Sequence, residues 1–244
     1  MGAMFPSQRL LIGTLPVDVT VKPIKHLHLS VLPPDGAVRI SAPEGMGELA
    51  VRSYTISKLG WIRRQQERLR SQARESPRLV IERESHQLWG RRLLLAIRER
   101  PAAACVEVLP RLLILQVRPG TDSDKRRQML ERWLRSELRR EASQRIPAWE
   151  EVLGVRCQRL FLQAMTRQWG SCNPAKGTIR LNSQLVHKPI SCLDYVLLHE
   201  LAHLLVHNHG PAFAALLDEH MPDWQERRRL LNQLPLTAAT PLTR

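Results

Sequence analysis

The run Pro189-Ile190-Ser191-Cys192-Leu193-Asp194-Tyr195-Val196-Leu197-Leu198-His199-Glu200-Leu201-Ala202-His203 decides how this chain is read. Pro189 can open a helix, and Ile190, Leu193, Val196, Leu197, Leu201 and Leu204 recur at helical spacing. The leucine pattern therefore predicts a helix without help from the histidines. On a helix, positions i and i+4 share a face one turn apart, so His199 and His203 stand side by side. Two imidazoles in that relation can grip one metal ion. Glu200, next to the first of them, can take a proton from a metal-bound water. Such a pattern also arises by chance on amphipathic helices, in roughly a few per cent of chains with this His and Glu usage.

The surroundings favour the metal reading. Six of the nine histidines lie between residues 187 and 220. His209 follows Asn208 and precedes Gly210. A helix ending near His207 would let the chain turn back and deliver His209 as a third ligand, and three neutral imidazoles plus a water make a catalytic zinc set. His207 is the competitor. A continuous line of ligands at i, i+4 and i+8 spreads over about 12 Å, too far for one ion, so His209 is preferred and His207 is given a surface or supporting role. His187 and His220 read as ordinary polar residues. From Pro189 to Glu226 there is no Lys or Arg, and the acids Asp194, Glu200, Asp218, Glu219, Asp223 and Glu226 give that window a charge of −6. With +14 on the whole chain, the remainder carries +20. A cation site tolerates that local bias better than a phosphate site would. Asp218, Glu219, Asp223 and Glu226 are read as solvated helix faces.

Working outward, strands come first. Val17, Val19 and Val21 alternate with polar residues, as do Leu27 and Leu29, and Pro33-Pro34-Asp35-Gly36 is turn chemistry before alternation resumes at Ala37–Ala42. Met46–Arg74 changes to helical period and Pro77 stops it. Arg78–Glu99, with Gly90 as a turn, and Leu112–Val117 return to strands. After Pro119-Gly120, Asp122 or Ser123 can cap a helix running to about Arg145 and ended by Pro147. Its apolar stripe is Met129, Leu130, Trp133, Leu134, Leu138 and Ala142, and Arg126, Arg127, Arg132, Arg135, Arg139 and Arg140 crowd the other faces. Cys157–Thr166 and Thr178–Asn182 read as strands separated by turn signals at Gly170 and Asn173-Pro174. Pro211 and Asp223 open two more helices. The expected division is a β-rich N-terminal lobe with one helix over 1–118, a catalytic domain over 119–235 and a tail over 236–244.

Composition sets limits on the rest. Hydrophobic residues make up 43% and charged residues 25% of 244, which excludes disordered and collagenous classes. The basic balance favours an anionic partner, whether nucleic acid, nucleotide, membrane surface or acidic protein, and does not choose among them; arginine-rich surfaces would serve a nucleic acid or nucleotide. Cysteines at 105, 157, 172 and 192 form no Cys-x-x-Cys pair, so neither a zinc ribbon nor a redox pair is implied. Reduced thiols and a cytoplasmic location are the simpler expectation. No signal peptide is read in Met1–Val17, and Met1-Gly2-Ala3 has the look of a cloning remnant. Leu201–Leu217 is free of Asp, Glu, Lys and Arg, but it carries three His and an Asn and is no membrane span.

A family resemblance joins these pieces. Arg167-Gln168-Trp169-Gly170-Ser171-Cys172, Gly177-Thr178-Ile179-Arg180-Leu181-Asn182, the histidine helix, Asn208-His209-Gly210 and Phe213 resemble the YgjP-like metallopeptidases. Val38–Pro43 and Lys58-Leu59-Gly60-Trp61-Ile62 are similar to that family's front lobe. These are zincin-type hydrolases related to SprT-like and WLM peptidases. The resemblance implies an α+β fold: a zincin-like C-terminal domain with a His-Glu-x-x-His helix, preceded by a small β-rich lobe. It also implies Zn2+ on His199, His203 and His209 and Glu200 as catalytic base. Gln168 stands where the family usually has Arg or Lys. Independently of the family, Gly170 permits a bulge or a close backbone approach, and a strand there can offer its edge to an extended peptide. Trp169 and Cys172 are read as packing residues. The function expected is a zinc-dependent hydrolase acting on peptide or protein. The alternatives are a metal-dependent nucleoside triphosphate pyrophosphatase and a nucleic-acid-associated protease of SprT-like type. No Gly-rich phosphate loop supports the former. No oxyanion donor is evident: Tyr195 lies on the metal helix and Tyr54 is remote in sequence.

Overall fold

Val17, Val19, Val38 and Ile40 point to one side of alternating strands and are all buried, and they seed the first of two units, Met1–Arg74 and Glu75–Thr240. The computed structural model describes residues 7–32, 36–71, 74–75, 80–165, 168–233 and 236–237. In the first unit β1 (Ser7–Ile12), β2 (Leu15–Lys22), β3 (His28–Leu32) and β4 (Ala37–Pro43) form a sheet in the order β1-β2-β4-β3. β2 and β4 run parallel, and the outer pairs are antiparallel. Val51 of α1 (Glu48–Ser57) and Ile62 of α2 (Leu59–Ser71) complete its core. The single helix expected over Met46–Arg74 is thus two helices. The Thr55 hydroxyl donates to the Val51 carbonyl and the Ser57 hydroxyl to that of Tyr54. Such local bonds compete with the helical ladder, and Gly60 propagates it poorly. The expected turn residues Pro33-Pro34-Asp35, the stop at Pro77, Thr166, Arg167 and the tail from 238 onward lie outside the described residues.

β5 (Arg74–Glu75) marks the division between the units. The second unit opens with β6 (Ser85–Leu88), β7 (Arg91–Glu99), β8 (Cys105–Val108) and β9 (Leu112–Val117), in the order β6-β7-β9-β8. Next come α3 (Ser123–Leu153), β10 (Arg159–Gln163), β11 (Gly170–Asn173), β12 (Thr178–Asn182), α4 (Ile190–Ala202), α5 (Pro211–His220) and α6 (Trp224–Gln233). The three-stranded sheet has the order β10-β12-β11, with β10 parallel and β11 antiparallel to the central strand. The result is a mixed α+β fold with several small sheets and six helices among the described residues.

The expected boundary at residue 118 falls inside this second unit. Leu88, Leu93, Leu95, Leu113, Leu115 and Val117 of the four-stranded sheet share one core with Leu130, Leu134 and Leu138 of α3 and Leu193 and Leu197 of α4. The hairpin β6–β7 turns at Trp89 and Gly90, both with positive φ, 51° and 76°. Its tip meets the approach to α4. The Trp89 amide donates to the Val186 carbonyl at 2.9 Å, and His187 Nδ1 meets the Gln87 carbonyl at 2.8 Å. A Cβ added at Gly90 would meet Pro189 Cγ at 2.9 Å. Helix α4 has no side-chain N-cap, and the hairpin contacts help to fix its entry.

Helix α3 is longer than its sequence suggests. Asp122 caps it, its carboxylate accepting from the Lys125 amide at 2.8 Å, but the helix passes through Pro147 and ends at Gly154 in the left-handed conformation. Proline removes the bond to the carbonyl four residues back. That carbonyl belongs to Ser143, and both residues are exposed, so the freed group lies on the solvent side of the helix rather than in the core. No helix among the described residues is long and apolar enough to cross a membrane.

Candidate metal centre

Helix α4 buries Cys192, Leu193, Tyr195, Val196, Leu197, Leu198, Glu200, Leu201 and Ala202. A helix that is apolar nearly all round belongs in a core. It ends at Ala202, several residues before the expected stop near His207, and His203 is its C-cap. The Val206 amide still reaches back to the Ala202 carbonyl at 2.9 Å, which folds the chain over the helix end. Asn208-His209-Gly210 then leads into α5, whose first turn begins with Pro211.

This turn brings His199, His203 and His209 together. One nitrogen of each ring lies within 4.8 Å of the others. His209 Nε2 is 3.0 Å from His199 Nε2 and 3.1 Å from His203 Nε2. His207 is exposed and outside the cluster. His203 Nδ1 lies 3.0 Å from the Val206 carbonyl. A proton on Nδ1, donated there, leaves Nε2 with a bare lone pair aimed at its neighbours. One N–H on His209 can serve one neighbour but not both, so mutual hydrogen bonding does not account for three converging nitrogens. Tetrahedral zinc, with bonds of about 2.0–2.1 Å to imidazole, spaces its nitrogens about 3.3 Å apart. The donor set fits that ion. His199 Nδ1 is buried with no hydrogen-bond partner among the described residues, so no hydrogen bond there fixes its tautomer.

Phe213 is the seat for all three rings. It is buried, stacks on His203 at a centroid distance of 4.6 Å and presents its edge or face to His199 and His209 at 4.9 Å each. Tyr195 backs His199 at 5.7 Å and stacks on Trp224. Burial pushes His199 down to about 4, with His203 and His209 adding to the effect. It also lowers His203. Both rings are therefore neutral near pH 7, the form that ligates metal.

Glu200 is only 5% exposed. Burial pushes its carboxyl up to about 8, and a cation nearby would draw it back toward the carboxylate. Its side chain rests against β11, where a Cβ at Gly170 would stand 2.5 Å from Glu200 Oε1. Cys172, two residues on along the same face of β11, has its thiol pushed up to about 11 by burial and by Glu200. β11 is held from behind by Asn182. The Asn182 amide donates to the Trp169 carbonyl at 2.8 Å, and its Nδ2 donates to the carbonyls of Met165 and Gln168, each at 2.9 Å. Lys188, almost fully buried, sets its Nζ 5.7 Å from the centroid of the Trp169 ring.

The acids of the −6 window divide by surroundings. Asp194 is half-buried and bonded to Arg145 at 3.0 Å, which ties α4 to α3. Burial raises its carboxyl against the pull of that arginine. Asp218 accepts from Trp224 Nε1, and Asp223 pairs with Arg227. Glu219 and Glu226 are exposed or nearly so. His220 stays outside the histidine cluster, and His187 is spent on the hairpin.

The arginines of α3 also divide. Arg127, Arg140 and Arg145 pair with acids, and Arg126 reaches Glu99 at 3.9 Å. Arg139 donates to the Leu160 carbonyl at the edge of β10 at 3.4 Å. Arg132 and Arg135 are exposed on the same face as Arg139. On the outer side of the neighbouring sheet the Arg180 guanidinium lies 5.6 Å from the centroid of the half-exposed Phe161 ring.

Comparison with known proteins yields a family model described as YgjP-like, metallopeptidase domain, over residues 25–234. No curated protein matches. Among solved structures, the zymogen of Methanocaldococcus jannaschii jannalysin, a metallopeptidase, is 22% identical with a TM-score of 0.35, covering 38% of this chain and 94% of its own. The metallopeptidase zymogen of Pyrococcus abyssi abylysin is 18% identical with a TM-score of 0.34, covering 39% and 98%.

Proposed function

The chain belongs to the YgjP-like family of metallopeptidase domains, and from that premise we propose a zinc-dependent peptidase in which Glu200 is the general base. The observation that carries the reading is the convergence of three imidazole nitrogens, with 3.0 and 3.1 Å between neighbours, one residue along the chain from a buried carboxyl. Zinc held by His199, His203 and His209 would polarise a scissile carbonyl and make a water easier to deprotonate. Glu200 then accepts the proton of the attacking water on a carboxylate oxygen and returns it to the leaving amine nitrogen. Its burial keeps that proton from exchanging with solvent. Phe213 and the Val206 carbonyl hold the rings in one orientation. β11, at an edge of its sheet, is suited to hold an extended peptide through backbone hydrogen bonds.

A nucleoside triphosphate substrate draws less support, because the window around the site carries −6 and no Lys or Arg. A nucleic-acid partner is favoured by one surface: Arg132, Arg135 and Arg139 share a face of α3. The test is metal analysis of the purified protein followed by parallel peptide and triphosphate hydrolysis assays. Glu200→Gln should keep the metal and lose about 10²–10⁴-fold or more in peptide turnover. Near-normal turnover by that variant would move the base elsewhere. For the arginine face, Arg132, Arg135 and Arg139 changed to Glu should abolish a low-salt mobility shift and leave metal content unchanged. Absence of any shift with the unaltered protein at micromolar concentration would dismiss that partner.

A further inference from the structure

We infer that Gly170 is a positioning residue for Glu200, its missing side chain forming the seat in which the base lies. This rests on the reading of Glu200 as the base. Gly170 is not one of the glycines with positive φ, so backbone conformation does not demand glycine there. Space does. A Cβ at position 170 would come within 2.5 Å of Glu200 Oε1, 2.7 Å of Cγ and 2.8 Å of Cδ. All three are closer than real Cβ contacts come, and they run along the side chain rather than touching its tip alone. The strand cannot simply retreat. Gly170 is paired with Leu181 across the β11–β12 ladder, the adjoining Trp169 carbonyl accepts from the Asn182 amide, and the Asn182 side chain holds the Gln168 carbonyl. An alanine at 170 therefore moves Glu200 and leaves the histidines, which sit on α4 and the turn beyond it, where they are. Cys172, two residues on along the same face, bears a side chain near Glu200 without such a clash, so the requirement is local to position 170, whose Cβ site the Glu200 side chain occupies.

The decisive comparison is Gly170→Ala, Glu200→Ala and the double variant, each purified with its metal. Gly170→Ala should bind metal in the same stoichiometry as the unaltered protein and lose about 10²-fold in kcat with KM changed little, the loss expected of a catalytic group displaced by about 1 Å. Its crystal structure should have the Glu200 carboxyl shifted and the three imidazoles unmoved. In melting temperature, Gly170→Ala should cost roughly 3–10 °C in the unaltered background and much less beside Glu200→Ala, where the obstructing atoms are gone. If the single variant does not fold, a double variant that melts like Glu200→Ala supports the inference equally. Full activity in Gly170→Ala, an unshifted Glu200, or an equal melting penalty in both backgrounds would overturn the inference. A coupled melting penalty combined with normal turnover in Glu200→Gln would locate the failure in the base assignment, with the contact intact.

Discussion

At the residue scale, the proposed metal ligands and the proposed base respond to different measurements. His199→Ala, His203→Ala and His209→Ala should each strip most of the metal, and His207→Ala should not; full retention in His209→Ala would refute the third ligand. Glu200 sets a pH dependence in the metal-free protein. Folded, it keeps its proton up to about pH 8, whereas the ordinary value is 4.5. The folded state binds more protons over that window, so stability falls as pH rises through it. His199 acts oppositely: its value of about 4 lies below the ordinary 6.5, so its contribution is present above 6.5 and is lost as pH falls toward 4. Above pH 6.5, of these two groups only Glu200 still titrates. Metal-stripped protein should therefore lose roughly 1–2 kcal/mol between pH 6.5 and 8, and Glu200→Gln should remove that loss; equal losses in both proteins would contradict it. The pairing of His199 with His203 was legible because helical spacing alone sets them side by side. His209 needed a turn, and the proximity of Asn208 and Gly210 suggested one. The seat made by Phe213 and the brace made by Asn182 were not legible as such. Each depends on which atoms meet across elements, and no periodicity along the chain encodes that.

At the element scale, the hairpin tip is the most exacting junction. Gly90 combines a φ of 76° with contact to Pro189. Gly90→Ala should destabilise the second unit by about 2–4 kcal/mol and lower metal affinity with it, as read by denaturant melts and metal titration. Its turn character was evident in the sequence, but its docking on Val186–Pro189 was not, because the partner lies about a hundred residues away. Pro147 misled in the opposite direction. The rule that proline ends a helix assumes the freed carbonyl has nowhere to go. On the exposed face of α3 it is open to solvent, and Ile146 before the proline and Glu150 and Leu153 after it stay buried. Pro147→Ala should consequently raise stability by about 1–3 kcal/mol, and a drop in melting temperature would mean that the ring packs usefully. Gly170 and Asn173-Pro174 gave turn signals beside a possible strand edge, and the ladder of β11 with β12 is a tertiary fact.

At the scale of the whole molecule, the sequence suggested the α+β class and the order of helices, but placed the division at residue 118 where the structure divides at Arg74. Strand periodicity up to Val117 argued for one β-rich lobe. It could not reveal that β6–β9 share their core with α3 and α4. A fragment spanning 75–240 should fold cooperatively and bind metal, whereas one starting at Pro119 should do neither; circular dichroism melts and metal content separate the outcomes. The bond between His187 and Gln87 spans 100 positions, and that separation carries a consequence for biosynthesis. The hairpin leaves the ribosome long before the segment it must clasp, and contacts of such high order form late. Phe213 and His209 emerge later still, so a nascent chain carries no complete histidine cluster until both have been made, long after the hairpin that must dock beside it.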